Sequence, residues 1–595
     1  MSLQDRFHYR PAPGVPHPQG RPLGSSLSPW LRWAGALVWW IEHGFERARA
    51  DAKPEEDTRV RIFLIMSLFC VVFGCLTLGA VHSALFAPKS GRTFAANPGG
   101  LARADLVDRN GALLASNITY YGLYIDPAEV WDRRLAERQL RRVLPRLSAQ
   151  RLHKVLNGER RAIVMPGLTP GERAAVHALA LGGLSFEPED RRVYPLNTAA
   201  AHLIGTADTG GQGVSGAELA FNSEIRAAGA HGQEFPLSID LRIQGVLDNE
   251  LAAAAAIAQP KGAVGVIADA RTGEILAMSS WPSYDANRRG GATGDQALNR
   301  VTSAHYEMGS VFKTFTVAAA LDTGQADLNT MIDASQAYKI GNRMIRDFHA
   351  TNRILSLEEV YLHSSNIGTS RLAVEMGANT MRDYFQRLGL LDAAPIELRE
   401  SARPRRPRNW EDSTRASMSF GYGIMITPLQ MTAATVALVN GGVYRPLSLR
   451  RGGANGPERR VVSEQTSAAM RQLMRANVLR GSGRQANAAG LRVGGKTGSA
   501  NKLVNGRYDA SHGVGSFAAV FPADGPETTQ RYVIFVLFDD PAVGSRQGGG
   551  VAAPVVGRVA DRIAPFLAVE RQADPVPVVV ATAAPATATV AGARP

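Results

Sequence analysis

From Ile62 to Ala87 the chain carries one unbroken apolar run in which His82 is the sole ionisable side chain. As a helix, Ile62 to Phe86 rises roughly 37 Å, more than the about 30 Å of a bilayer's hydrocarbon core, so the pattern predicts one transmembrane helix over 62–86. A cleaved signal peptide is the alternative. Against it, the run begins some sixty residues into the chain, is too long for an h-region and has no clear A-x-A site behind it. Lys and Arg number five in the twenty residues before the run and three in the twenty after it. That bias places the N-terminus on the cytoplasmic side and everything beyond residue 87 outside the cytoplasm.

Between the run and about residue 235, Asp108-Arg109-Asn110-Gly111 is a turn signal between short apolar pieces, and strand-like segments mix with Arg-rich helical ones such as 131–157. No nucleophile or metal constellation occurs there, which makes it a structural domain. The pattern changes at Pro236. An Ala-rich helix over 241–258 leads into Ala263–Ala268, the turn Asp269–Gly273 and Glu274–Met278, a β-hairpin. Phe517–Phe521 and Tyr532–Phe538 read as two more strands, followed by a helix over about 552–568. Strands at both ends with helices between them predict a sheet assembled from distant parts of the chain.

The two ends differ in composition. Residues 1–26 are rich in Pro, Gly and Ser and read as disordered, while Trp30, Trp33, Trp39 and Trp40, four of the seven tryptophans, fall within eleven residues. The segment 28–44 is therefore interfacial, either an amphipathic helix on the inner leaflet or a docking segment for another membrane protein. The Ala, Pro, Val and Thr of 571–595 read as a disordered tail. Cys70 and Cys75, the only two cysteines, lie in the apolar run, which excludes a disulfide framework and a Cys-based zinc site. The net charge of +13 invites a nucleic-acid partner, but the basic residues read as scattered and no nucleic-acid module is present, so none is expected. Only eight of the 66 basic residues are lysines, so a lysine in a catalytic setting is informative.

Two of those eight stand in such a setting. Ser310-Val-Phe-Lys313 opens a helical run that reaches Leu321, with Gly324 as its stop. Residues i and i+3 share a helix face, which puts the Ser310 hydroxyl within hydrogen-bond reach of the Lys313 amine. A lysine kept neutral by desolvation and a neighbouring cation could take the serine proton, and the helix N-terminus would aim a backbone N–H at the reacting oxygen. A second S-x-x-K, Ser499-Ala-Asn-Lys502, lies in a segment that reads as a strand, where i and i+3 point to opposite faces. The first copy is followed 54 residues on by Ser364-Ser365-Asn366 and a further 132 on by Lys496-Thr497-Gly498. Singly, Ser364 also reads as a helix cap and Lys496-Thr-Gly as a strand end with a bulge; together the three stand in the order of penicillin-binding proteins and β-lactamases.

Tyr306-Glu-Met-Gly309, Asn299-Arg300, Ser419-Phe-Gly-Tyr-Gly-Ile-Met-Ile-Thr-Pro-Leu-Gln430 and Gly494-Gly-Lys-Thr-Gly-Ser499 resemble the transpeptidase domain of a class B penicillin-binding protein. Arg103-Ala-Asp-Leu-Val-Asp-Arg-Asn-Gly111, Arg192-Val-Tyr-Pro195 and Gly213-Val-Ser-Gly-Ala-Glu218 resemble that class's non-catalytic pedestal. The single anchor, the length, Asp347-Phe-His-Ala350 and His363-Ser-Ser-Asn-Ile-Gly368 are more similar to the septal, FtsI-type enzyme than to the elongation enzyme.

The resemblance implies an α+β chain: one transmembrane helix, an elongated pedestal over 87–235, and over 236–570 a serine β-lactamase-like transpeptidase domain with an antiparallel sheet flanked by helices. It implies that Ser310 attacks the penultimate D-Ala of a stem peptide, with Lys313 as base and Ser364 as proton relay. Asn366 would hold the donor amide, Lys496 would keep Lys313 neutral and orient Ser364, and the hydroxyls of Thr497 and Ser499, flanking Gly498, would meet the substrate carboxylate. The oxyanion hole would be the N–H groups of Ser310 and Ser499. Three departures stand out: Met308 replaces a common Pro, Ser499 a usual Thr, and His363, read as a rim residue, a common Lys.

The rival readings fit less well. Glu375-Met-Gly-Ala-Asn379 imitates a β-lactamase deacylation motif but follows Asn366 by only nine residues. A β-lactam receptor would need a cytoplasmic signalling module, and a bifunctional enzyme a larger first domain. No cofactor or metal is implied. The expected partners are peptidoglycan stem peptides, β-lactams, the bacterial inner membrane, other division proteins and a SEDS glycosyltransferase of the FtsW type, with the catalytic domain in the periplasm.

Overall fold

The structure, a computed structural model, describes residues 62, 65–78, 103–288, 292, 294–453 and 456–572. The chain divides into two compact units, Met1–Phe94 and Ala95–Pro595. In the first, residues 65–78 are helical and expose Ile65, Phe69, Phe73 and Leu76. Among the described residues no helix is long and apolar enough to cross a membrane. The predicted span 62–86 runs into residues outside the described ones, and the readings of residues 1–61 and of the tail beyond 572 fall outside them as well.

The second unit begins with a five-stranded sheet. Strands β1 (Leu106–Val107) and β2 (Leu113–Ile125) flank the predicted turn, where the Asp108 carboxylate accepts the backbone N–H groups of Asn110 at 2.7 Å and Ala112 at 2.8 Å. Strands β3 (Ala162–Leu168) and β4 (Leu184–Val193) both pair antiparallel with β2, and β5 (Phe235–Pro236) pairs parallel with β1. The Arg-rich stretch 131–157 resolves into two helices, α1 (Arg133–Val143), capped by Asp132, and α2 (Ala149–Leu156), capped by Ser148. Ala136, Leu140 and Leu152 face a small core with Leu123, Ile125 and Val164. The basic charge, expected to be scattered, is gathered on one helix face here. Arg134, Arg138, Arg141 and Arg142 are all exposed and, at about 100° per residue, occupy one arc of α1 opposite its buried face.

Three charged residues from the pedestal-like motifs meet inside this region. Glu218 accepts from Arg103, with Nε at 2.7 Å, and from Arg192 Nε at 2.7 Å, and the three side chains are 0%, 1% and 4% exposed. Removing the one carboxylate would strand two buried guanidinium groups. Glu218→Ala should therefore lower unfolding stability by about 3–5 kcal/mol in urea titration, and a loss under about 1 kcal/mol would show that the cluster does not hold the fold.

The larger sheet runs in the order β8-β9-β10-β6-β7, every neighbour antiparallel: β6 (Gly262–Asp269), β7 (Ile275–Trp281), β8 (Gly494–Val504), β9 (Arg507–Phe521) and β10 (Tyr532–Asp539). It joins the two ends of the chain as the pattern predicted. The helices that matter below are α3 (Leu241–Ala258), α4 (Lys313–Asp322), α5 (Leu357–Leu362), α6 (Asn366–Met376), α7 (Pro428–Val439), α8 (Glu464–Arg480) and α9 (Ala553–Ile563). On β10, Ile534, Val536 and Phe538 pack in the core with α3 and α9, while Val533, Phe535 and Leu537 turn to the core that holds α7. Both faces are covered, which is why these strands read as continuous apolar runs. Every residue of α7 is buried, and its Thr432 and Thr435 hydroxyls donate to the Pro428 and Met431 carbonyls one turn back. The first five residues of β9, Arg507–Ser511, are largely exposed and polar, so no apolar signal marked them.

Candidate active site

Ser310 lies in a 3-10 turn, Gly309–Phe312, that runs directly into α4. The sequence reading opened one helix at Ser310; the turn is tighter than that, because its backbone is pressed against two neighbours. Gly309 has φ +60, and a Cβ there would lie 2.3 Å from the Ser499 carbonyl oxygen. Gly421 has φ +85, and a Cβ there would lie 2.3 Å from the Gly309 carbonyl oxygen. A Cβ on Gly498 would meet the Met308 carbonyl at 2.4 Å. Three segments far apart in sequence thus touch backbone to backbone around the nucleophile candidate, and only glycine permits it at those positions.

The expected hydrogen bond from Ser310 to Lys313 is not formed: among the described residues the Ser310 hydroxyl has no hydrogen-bond partner. The Lys313 amine, wholly buried, instead donates to the Ser364 hydroxyl at 3.0 Å and to the Ser364 carbonyl. The Lys496 amine, equally buried, donates to the same hydroxyl at 3.0 Å. Ser364 Oγ therefore accepts from both lysines, and its own proton is left to give away. The residue sits between α5 and α6 at φ 58, a left-handed conformation uncommon outside glycine and asparagine. It caps no helix. Ser365 does so, accepting the Gly368 N–H at 2.9 Å while donating to Asp347 Oδ2 at 2.7 Å.

Burial and the second amine determine the electrostatics. Desolvation, followed by the charge of Lys496, holds the Lys313 amine well below the usual lysine range, with Asp347 opposing. Burial alone brings Lys496 down to about 7. The Lys496 amine stands 5.7 Å from the Tyr361 ring centroid, within cation–π range. At neutral pH one proton shared unevenly between two amines is cheaper than two positive charges in this interior, which favours Lys313 as the neutral partner.

The remaining candidates line the same region. The Asn366 carboxamide donates to the Arg346 carbonyl at 2.9 Å, which fixes its rotamer. The Thr497 hydroxyl pairs with that of Ser482 at 2.7 Å, and the Ser499 hydroxyl accepts the Gly548 N–H at 3.1 Å. The β8 strand is the sheet's edge, and its Asn501 N–H leaves the sheet to reach the Tyr422 hydroxyl at 2.9 Å. Two residues earlier on the same strand, the Ser499 N–H points off the same edge. Ser310, in the opening turn of its 3-10 helix, carries an N–H without an intrahelical acceptor. His363 is exposed at the end of α5. Lys502 of the second S-x-x-K points away and pairs with Asp539 at 2.6 Å.

Four contributors escaped the sequence reading as site residues: Asp347, Tyr361, Ser482 and Glu307. Asp347 accepts from Ser365 and from the Ile367 N–H at 2.9 Å and so sets the register of the Ser-Ser-Asn turn. The Glu307 carboxyl, pushed upward by burial, accepts from Gly423 N–H at 2.7 Å and from the Tyr508 hydroxyl at 3.0 Å, tying β9 to the Gly421 loop. Asp347 and Glu307 stood within quoted motifs; nothing local marked Tyr361 or Ser482.

Residues 263–561 match the penicillin binding protein transpeptidase domain, and residues 101–227 the penicillin-binding protein dimerisation domain. The chain is 50% identical over 565 residues to the probable peptidoglycan D,D-transpeptidase FtsI of Caulobacter vibrioides, covering 93% of this chain and 96% of that one. It is 33% identical over 544 residues to the probable peptidoglycan D,D-transpeptidase PenA of Neisseria gonorrhoeae, covering 85% and 92%. With the peptidoglycan D,D-transpeptidase FtsI of Escherichia coli K12 it shares 32% identity over 496 residues, 77% and 82% of the two chains. A serine turn, a Ser-Ser-Asn turn and a Lys-Thr-Gly edge strand packed together, on a chain matched nearly end to end, make this protein a class B penicillin-binding protein of the FtsI type.

Proposed function

We propose that Ser310 is the nucleophile of a D,D-transpeptidation that cross-links peptidoglycan stem peptides during cell division. The observation that carries this reading is the meeting of two buried amines, Lys313 and Lys496, on the one hydroxyl of Ser364. Lys313 accepts the Ser310 proton as Oγ adds to the carbonyl of the penultimate D-Ala. The N–H groups of Ser310 and Ser499 take the developing oxyanion. The bond to the terminal D-Ala breaks, its nitrogen takes a proton by way of Ser364, and an ester to Ser310 remains. An amine of a neighbouring stem peptide then attacks that ester, gives its excess proton back through Ser364, and releases Ser310 with a new peptide bond. Asn366 orients the donor amide, and Thr497 and Ser499, either side of Gly498, receive the terminal carboxylate. β-Lactams acylate Ser310 in place of the donor.

Residues 1–61 would be cytoplasmic, 62–86 a single membrane anchor in the bacterial inner membrane, 87–235 the periplasmic pedestal, 236–570 the transpeptidase domain and 571–595 a tail. The exposed apolar side chains of 65–78 support the anchor. Cross-linking without polymerisation calls for a glycosyltransferase of the FtsW type as partner. Trapping the full chain with a fluorescent penicillin and mapping the labelled peptide tests the central assignment: the label should fall on Ser310, and label on any other residue overturns it. Depletion in cells should give filaments; round cells would assign the chain to elongation instead.

A further inference from the structure

The outward face of α1 is an arginine array whose one neighbouring carboxylate on the helix, Glu137, forms no ion pair with it. Arg134, Arg138, Arg141 and Arg142 are exposed, and among the described residues none of them, nor Arg133, Lys154 or Arg160 nearby, has an ion-pair or hydrogen-bond partner. Arg134 with Arg138, and Arg138 with Arg142, stand at i and i+4, a like-charge spacing that works against the helix. Residues 131–161 hold ten Lys and Arg against three carboxylates, so a twentieth of the chain carries about half of its net charge of +13. Of the other arginines in this segment, Arg146 pairs with Glu172 at 2.6 Å and Arg161 with Glu187 at 2.6 Å.

Two further features describe what it would meet. Trp131, immediately before the Asp132 cap of α1, is 97% exposed, the most exposed large apolar side chain among the described residues. An open groove of about 900 Å3 beside α2, lined among others by Arg151, Lys154, Arg160 and Ile163, continues the basic character onto the next helix, and His153 of α2 approaches Glu137 of α1 at 3.9 Å. A convex row of guanidinium groups offers no concave socket for one anion. It matches an extended anionic plane, and an indole at its end matches the boundary between headgroups and acyl chains, where tryptophan accumulates. Arginine forks suit phosphate oxygens in particular.

We propose that the α1 face of the pedestal, Trp131 with Arg134, Arg138, Arg141 and Arg142, binds the phosphate headgroups of an anionic phospholipid surface. This rests on the reading of 62–86 as an anchor, because a tethered chain needs only weak surface affinity to stay engaged. The engagement would hold the pedestal against the bilayer and let go as salt rises.

The test reconstitutes the full chain in nanodiscs of brominated phosphatidylglycerol or brominated phosphatidylcholine and takes the Trp131 emission as the difference between wild type and Trp131→Phe. The expected result is quenching in phosphatidylglycerol, little in phosphatidylcholine, and loss of quenching at 1 M salt, where the Debye length falls to about 3 Å. Arg134→Glu/Arg138→Glu/Arg141→Glu should abolish the quenching while penicillin labelling persists. Co-elution with nanodiscs reads the anchor separately, so loss of co-elution defeats that reading and not this one. Equal quenching in both lipids, none in either, or quenching that survives the triple charge reversal overturns the proposal.

Discussion

Lys313→Met should slow acylation of Ser310 by a fluorescent penicillin between about a hundredfold and ten-thousandfold, the span associated with losing a positioned general base. Methionine fills the same buried volume without an amine, so the folded chain should survive, and replacing a buried charge-bearing group by an apolar one of similar size is often neutral or stabilising. Acylation at the wild-type rate would show that another group takes the proton. The wild-type rate should also bend with pH. It climbs as the Lys313 amine loses its proton, at a pH set low by burial and by Lys496, and it declines as Lys496, held near 7, loses the charge that keeps Lys313 neutral. Stability carries the same imprint. Lys496 titrates near about 7 when folded and near 10.5 when exposed, so between those values the unfolded chain binds more protons. Urea midpoints should rise with pH across that window, and Lys496→Met should flatten the rise.

Ser364→Ala and Ser364→Gly should both reduce acylation by about a hundredfold or more, since either removes the hydroxyl to which two buried amines donate. The pair separates chemistry from conformation. Alanine keeps a β-carbon at φ 58, whereas glycine adopts that backbone without steric cost, so the glycine variant should be the more stable by about 1 kcal/mol. Full acylation by the alanine variant would remove Ser364 from the proton path, and equal stabilities would mean the left-handed turn stores nothing.

The parts legible in the sequence were those with a local code. Spacing singled out Ser310, Lys313, Ser364 and Lys496, and continuous apolar runs located β6, β7 and β10 and their union across the chain. What stayed hidden depends on contacts between distant segments. Lys313 turns to Ser364 rather than to Ser310 because a 3-10 turn and a half-buried hydroxyl from the α5–α6 junction outcompete the helical i, i+3 geometry. The helix cap falls to Ser365, which Asp347 reaches across from another loop to hold. The arginines of α1 looked dispersed in one dimension because a stripe on a helix is interrupted, every turn, by the residues of its buried side.

The glycine contacts at positions 309, 421 and 498 bear on how drug insensitivity arises in this enzyme. Any substitution there forces a carbon into a main-chain oxygen, and loses the acylating turn together with the antibiotic's target. Selection by an inhibitor is therefore steered outward, to exposed side chains such as Phe348, where a lineage can trade binding of the drug against a wall-building step it cannot do without.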